Sequence, residues 1–163
     1  MFLKGWRLLA IVFAALSLAP ALGHLLEMPA KMSYDGAMWL AVQQTLYGAF
    51  GVFGAAFEVG ALIAVVVLVW LVRRRPPSFR WTFAAAACMA AAHAAFWIWL
   101  APVNATVAAL TPQTLPADWT SLRSQWENAH AARALLQIGV VFALAMSVLV
   151  ETPDDAPRHQ PTR

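Results

Sequence analysis

Four runs of apolar residues, each close to the ~20 residues needed to cross a hydrocarbon core, decide what this chain can fold into. They cover residues 6–26, 48–72, 81–100 and 131–150 and leave only short segments between them. Of the 163 residues, 61% are hydrophobic and 12% charged, against about 25% charged in a typical soluble domain. The expected fold is therefore all-α: an integral membrane four-helix bundle over residues 1–151, followed by a disordered polar tail over 152–163 that carries Pro153, Asp154, Asp155 and Pro157.

Charge and cysteine content narrow the function. The net charge is +3, but the basic residues sit at the ends of the apolar runs and form no patch interleaved with aromatics, which argues against a nucleic-acid partner. The single Cys88 allows neither an intrachain disulfide nor a CxxC redox centre. Iron–sulfur clusters and covalently attached haem lack their ligand sequences as well. No cofactor is required by the sequence.

Lys4, Arg7, Arg73, Arg74, Arg75 and Arg80 flank the runs on one side, and the two opposite loops carry only Lys31 and Arg123. The positive-inside rule makes the first side cytoplasmic. With Arg158 and Arg163 in the tail, both termini are expected there, in a multi-pass protein of the bacterial inner membrane. Trp6, Trp39, Trp70, Trp81, Trp99, Trp119 and Trp126 fall near helix ends, like an interfacial belt. Residues 1–23 also resemble a secretory signal, with Lys4 and Arg7, an apolar run and Ala21-Leu22-Gly23 as a cleavage site. The run is long for a signal, and the first helix is read as retained.

Helix 1 is expected over 5–27, bent at Pro20 and ended by Pro29. A single helical pattern then runs from about residue 37 to 72, too long for the core, so its first three turns should stand outside the membrane or the helix must tilt strongly. On it Gln44, Tyr47, Gly51, Gly54 and Glu58 form one stripe at spacings of 3 and 4, suited to close approach of a neighbouring helix. Helix 3 is alanine-rich and should pack closely until Pro102 ends or kinks it. Helix 4 should start near Asp118 or Thr120.

Ionisable groups inside membrane spans are costly and usually face a bundle interior or a cavity. Each helix has at least one: His24 and Glu27, Glu58, His93, then Glu127, His130 and Arg133. Counting 1.5 Å per residue from the cytoplasmic anchors puts His24 at roughly 26 Å, Glu58 at roughly 23 Å, His93 at roughly 20 Å and Arg133 at roughly 27 Å. All lie in the outer half. His24 with Glu27, Glu127 with His130, and Trp126 with His130 and Arg133 share helix faces, as do His93, Trp97, Leu100 and Asn104 if the helix survives Pro102. A polar chamber in the outer half follows if these faces turn inward. The plainer reading is that the histidines are interfacial, that Glu127 is solvated or paired, and that Arg133 serves only as counter-ion to Glu58.

A metal is the sharper alternative. Glu127-x-x-His130 has the spacing of carboxylate-bridged di-metal bundles, and with Glu58 it supplies a candidate set of His130, Glu127 and Glu58. Bis-histidine haem would need an axial pair with room for the macrocycle between.

The stretch Pro102-Val103-Asn104 after helix 3, followed by Trp126, His130 and Arg133 in WENAHAAR, resembles the anthrone-oxygenase-like family of small four-helix membrane proteins. The resemblance implies a four-span fold, Asn104, Trp126, His130 and Arg133 as the functional set, and oxidation of anthrones to anthraquinones without an obvious cofactor motif.

Two functions are thereby set against each other. One is an oxygenase or oxidoreductase acting on a hydrophobic aromatic or quinone-like molecule drawn from the lipid bilayer. In it His130 is the general base, Arg133 and Asn104 stabilise the oxyanion, Glu58 tunes the histidine, and Trp126, His93, His24 and Glu27 line the ligand site. The other is a non-enzymatic accessory subunit or assembly factor of a larger membrane complex, its polar cluster acting as interhelical glue. A pocket of several hundred Å³ lined by these groups favours the first, and a closed, fully paired cluster the second.

Overall fold

The computed structural model describes residues 1–153; the expected polar tail from Asp154 onward, with Arg158 and Arg163, lies outside the described residues. Four helices long and apolar enough to cross a membrane account for most of the chain. They are α1 (Phe2–Lys31), α3 (Tyr47–Val72), α4 (Pro76–Ala95) with its continuation, and α6 (Trp119–Leu149), with α2 (Gly36–Thr45) between the first two. Among the described residues there is no strand. The chain is an all-α membrane four-helix bundle.

Around the bundle, α1 packs against α3 and α6, and α4 packs against the same two. The start of α1, the turn between α3 and α4, and the end of α6 meet at one end. There Arg7 Nη2 lies 2.7 Å and Arg75 Nη1 3.1 Å from Glu151 Oε2. Arg7 also donates to Ser78 Oγ (2.9 Å), which in turn donates to the Ser147 carbonyl (3.0 Å). Burial acts to raise the Glu151 carboxyl, but the guanidiniums of Arg7 and Arg75 outweigh it and hold the group below the ordinary carboxylate range.

The half of the bundle next to this arginine-rich end is close-packed. Ala10 and Ala14 of α1, Ala61, Ala64, Val65 and Leu68 of α3, Ala85 and Met89 of α4, and Val140, Ala143 and Leu144 of α6 form one buried core. Small side chains let the backbones approach, as at Gly60, where a Cβ would lie 2.8 Å from the Phe13 ring.

Three helix boundaries differ from expectation, each for a tertiary reason. First, α1 runs through Pro20 and Pro29 to Lys31, because Arg123 Nη1 binds the carbonyls of Tyr34 (2.8 Å) and Lys31 (3.4 Å) and secures its last turn. Second, the helix expected over 37–72 is two helices, interrupted at Leu46. Asp35 caps α2 by accepting from the Met38 amide at 2.8 Å. The break lets Trp39 and Leu40 pack with Leu100, Val103, Val107 and Trp126, so α2 roofs the bundle instead of protruding. Third, Pro102 does not end helix 3. A π-helical turn (Phe96–Leu100) precedes it, with the Ala101 amide bonded to the Phe96 carbonyl, and α5 (Ala101–Ala109) continues the rod. The wider turn accommodates a proline that has no N–H to offer the ladder. The tryptophans differ in exposure. Trp70, Trp97 and Trp99 are exposed, but Trp39 and Trp126 are buried in the core.

Candidate functional site

In the half away from the arginine-rich end, the helices enclose a cavity of about 700 Å³. The lining of α3 is the stripe seen in the sequence, with Tyr47, Gly51, Gly54 and Glu58 continuing from Gln44 of α2. The glycines do not bring a helix close, as expected from their spacing; a Cβ at Gly48 or Gly51 would meet no atom within 4 Å, and one at Gly54 only Pro20 at 3.7 Å. Their missing side chains are the cavity. Facing them, α6 contributes Trp126, His130, Arg133 and Gln137, one residue per turn on a single face.

The depth counting holds where it is tested by contact. Glu58 of α3, His93 of α4 and Arg133 of α6 meet at the cavity floor. His93 Nδ1 is 3.1 Å from Glu58 Oε1, and Arg133 Nη2 donates to Glu58 Oε2 in a buried ion pair. Gln137 Nε2 adds a bond to the same oxygen at 3.2 Å. Trp97 Nε1 donates to His93 Nε2 at 3.1 Å. An indole can only donate, so this nitrogen accepts and Nδ1 carries the proton toward Glu58. Both nitrogens of His93 are therefore engaged, and the histidine that Glu58 orients is His93, not His130.

His130 lies above the floor, stacked on Trp126 and His24 with ring centroids 4.0 and 4.1 Å away. His24 is also 4.5 Å from the Tyr47 ring. Among the described residues neither imidazole has a hydrogen-bond partner; of the ring nitrogens only Nδ1 of each is fully covered, and both rings line the cavity. Arg133 uses Nη2 on Glu58 and Nε on the Ala92 carbonyl (3.1 Å), leaving Nη1 free. Asn104 Oδ1 accepts from Trp126 Nε1 at 2.8 Å, which orients the amide and leaves Nδ2 free to donate. Two basic nitrogens and two donors are thus unengaged on the wall of one cavity.

Glu27 and Glu127 do not join them. Glu127 is paired with Lys31 Nζ at 2.9 Å, and Glu27, half exposed, accepts from the Tyr47 hydroxyl and lies 3.9 Å from the same ammonium. The candidate metal set is thereby split, since Glu127 turns away from the cavity to Lys31 and Glu58 is held by Arg133 at the floor, while His130 lies above it. Among the described residues no three His, Cys, Asp or Glu side chains gather as a metal site. A haem between His24 and His130 is excluded by their spacing, because trans ligation at about 2 Å per nitrogen separates ring centres by more than the 4.1 Å found.

Two participants escaped the sequence reading. Gln137 follows Arg133 by four residues on the same face, and an amide in an apolar run was the available signal. Lys31 follows Glu27 by four residues and His24 by seven. It was read only as a topology marker, yet its ammonium is buried 4.7 Å from the Trp126 ring.

Comparison of the chain with family models, with curated proteins and with solved structures finds no match. The site's chemistry therefore rests on its own geometry, within a membrane protein built as a four-helix bundle.

Proposed function

We propose that the chain is a membrane-embedded oxygenase that acts on a neutral, planar aromatic ketone or phenol of the anthrone type, with its arginine-rich end and both termini cytoplasmic. The observation that carries this reading is the cavity lining: an imidazole on His130 without a hydrogen-bond partner, and unengaged donors on Arg133 and Asn104, around one chamber of about 700 Å³. That volume is within the usual range for sites that bury a small molecule.

In an anthrone the methylene proton is acidic because the resulting carbanion is delocalised onto the ring oxygen. His130 takes that proton through Nε2. The negative charge develops on the oxygen, where Arg133 Nη1 and Asn104 Nδ2 can donate to it, and preorganised donors in a site shielded from water are effective at this. The carbanion then reduces dioxygen, forming a C–O bond, and the hydroperoxide loses water to leave the second carbonyl. One anthrone and one dioxygen give one anthraquinone and one water. Glu58 does not touch substrate in this scheme. It holds Arg133 in place, with His93 and Gln137 occupying its remaining acceptor sites.

The test is oxygen uptake by protein in nanodiscs supplied with anthrone, with anthraquinone quantified. Uptake should exceed that of protein-free nanodiscs with one oxygen consumed per quinone formed, and His130→Ala should lower kcat by about 10²–10⁴-fold, the usual worth of a general base. Uptake equal to that of empty nanodiscs would remove the oxygenase reading.

A further inference from the structure

The cavity wall is not closed all round. On the α6 side the lining residues are buried throughout, as are Ser17, Ala21 and His24 on α1. On the opposite side Gly51, Ala55 and Val59 of α3 and Trp97 of the π-turn line the cavity and are exposed, Val59 at 44% and Trp97 at 62%. A Cβ at Gly48 or Gly51 would meet no atom within 4 Å, so no neighbouring helix packs against α3 at these positions. α3 and α4 are joined at the arginine-rich turn, bridged by Glu58 and His93, and part beyond that level. From Val59 to Gly48 the gap is about 16 Å long at 1.5 Å per residue. It opens mainly on the apolar stretch Phe50–Val72, so lipid, not water, lies outside it. The roof is fastened differently, with Gln44 Nε2 bonded to the carbonyls of Val107 (3.0 Å) and Leu110 (2.8 Å).

We propose that this slot between α3 and α4 is a lateral port through which a neutral, lipid-soluble molecule passes between the bilayer and the cavity, and that Trp97 sets its width. The indole is held by His93, His93 by Glu58, and Glu58 by Arg133, so the rim of the port is tied to the carboxylate that positions the free guanidinium nitrogen. A charged molecule would have to be desolvated to use this route, whereas a neutral aromatic one already resides in the hydrocarbon. The port rests on the reading of the cavity as the site for such a molecule and is independent of the reaction performed there.

Labelling of a cavity cysteine tests it without a substrate. In a Cys88→Ala background, Ala21→Cys places a thiol on the buried α1 wall, and protein in nanodiscs is treated with N-phenylmaleimide or with a cationic trimethylammonium thiosulfonate. Relative to their rates on a free thiol, the lipid-soluble reagent should react at least a hundredfold faster than the cationic one. Val59→Trp, or Ala55→Phe if the first variant lowers Tm, should slow it at least tenfold, and Trp97→Ala should accelerate it several-fold. Comparable labelling by the cationic reagent would mean access from water and would overturn the port. So would rates indifferent to both positions 59 and 97, or a thiol that neither reagent reaches. The labelling pattern without any anthrone oxidation would discard the oxygenase and leave the port standing.

Discussion

The two halves of the bundle are built from the same helices by opposite means. Toward the arginine-rich end, alanines and a glycine are filled in by their neighbours, as Gly60 is by Phe13, and the buried polar groups are hydrogen-bonded, as the Trp6 indole is to the Ala64 carbonyl (2.8 Å) and Ser78 to the Ser147 carbonyl (3.0 Å). Toward the other end, Gly48 and Gly51 have nothing against them, and ionisable side chains line the space they leave. A small residue in a membrane helix thus has two uses, close contact or an opening. Which one applies depends on whether the facing helix follows it in.

The largest effect that separates the halves is expected at the cavity floor. Arg133→Met leaves Glu58 as a buried charge without its counter-ion and should cost about 3–5 kcal/mol, while pairing it with Glu58→Gln should restore most of that. Unfolding in detergent measures both, and the restored double variant should have lost anthrone turnover. A single variant as stable as the parent would mean that the pair does not form in the bilayer and that the two halves are electrostatically alike.

Next in size is a matched pair of substitutions by leucine. In the packed half, Ala64→Leu has no room and should destabilise by about 1–3 kcal/mol. In the open half, Gly51→Leu places its Cβ where no atom lies within 4 Å and removes a helix-interior glycine, so it should be neutral or stabilising by up to about 1 kcal/mol, yet it should abolish oxidation of anthrone by filling the chamber. Equal destabilisation by both, read from Tm, would show that the cavity closes in the membrane and would erase the contrast.

The smallest effect is at the latch of the packed half. The Glu151 carboxyl is held below its ordinary value, so its contribution is fully present above the unfolded value near pH 4.3 and is lost as pH falls through the lower folded value. For a partly solvated pair this amounts to about 1 kcal/mol or less. Glu151→Gln should flatten that acid limb in pH-dependent unfolding and leave the stability of the cavity half untouched. An unchanged acid limb would show that the latch contributes nothing.

Much of the architecture was legible in the sequence because it follows from quantities that add along one dimension. The lengths of the apolar runs gave the spans, and counting residues from charged anchors brought Glu58, His93 and Arg133 to one depth, where they do meet. Helical periodicity grouped Trp126, His130 and Arg133, and the cavity receives all three. The outcomes at Leu46 and Pro102 were not legible. The break at Leu46 is favoured only because it lets Trp39 and Leu40 pack down onto Leu100, Val103, Val107 and Trp126, and a helix survives its proline only if a π-turn absorbs it.

Partnership was likewise decided by the tertiary structure. Sequence spacing joined Glu127 to His130 as one metal motif, but a carboxylate and an imidazole three residues apart on a helix point in directions about 60° apart at 100° per residue, enough for one to face Lys31 and the other the cavity. The chain by itself determined how many helices cross, which residues share a depth and which faces are polar, since these depend on local rise, rotation and transfer free energy. Which carboxylate answers which cation, and whether a glycine stripe closes or opens, depends on the rotation of each helix against its neighbours, and that is set by the packing of all four at once.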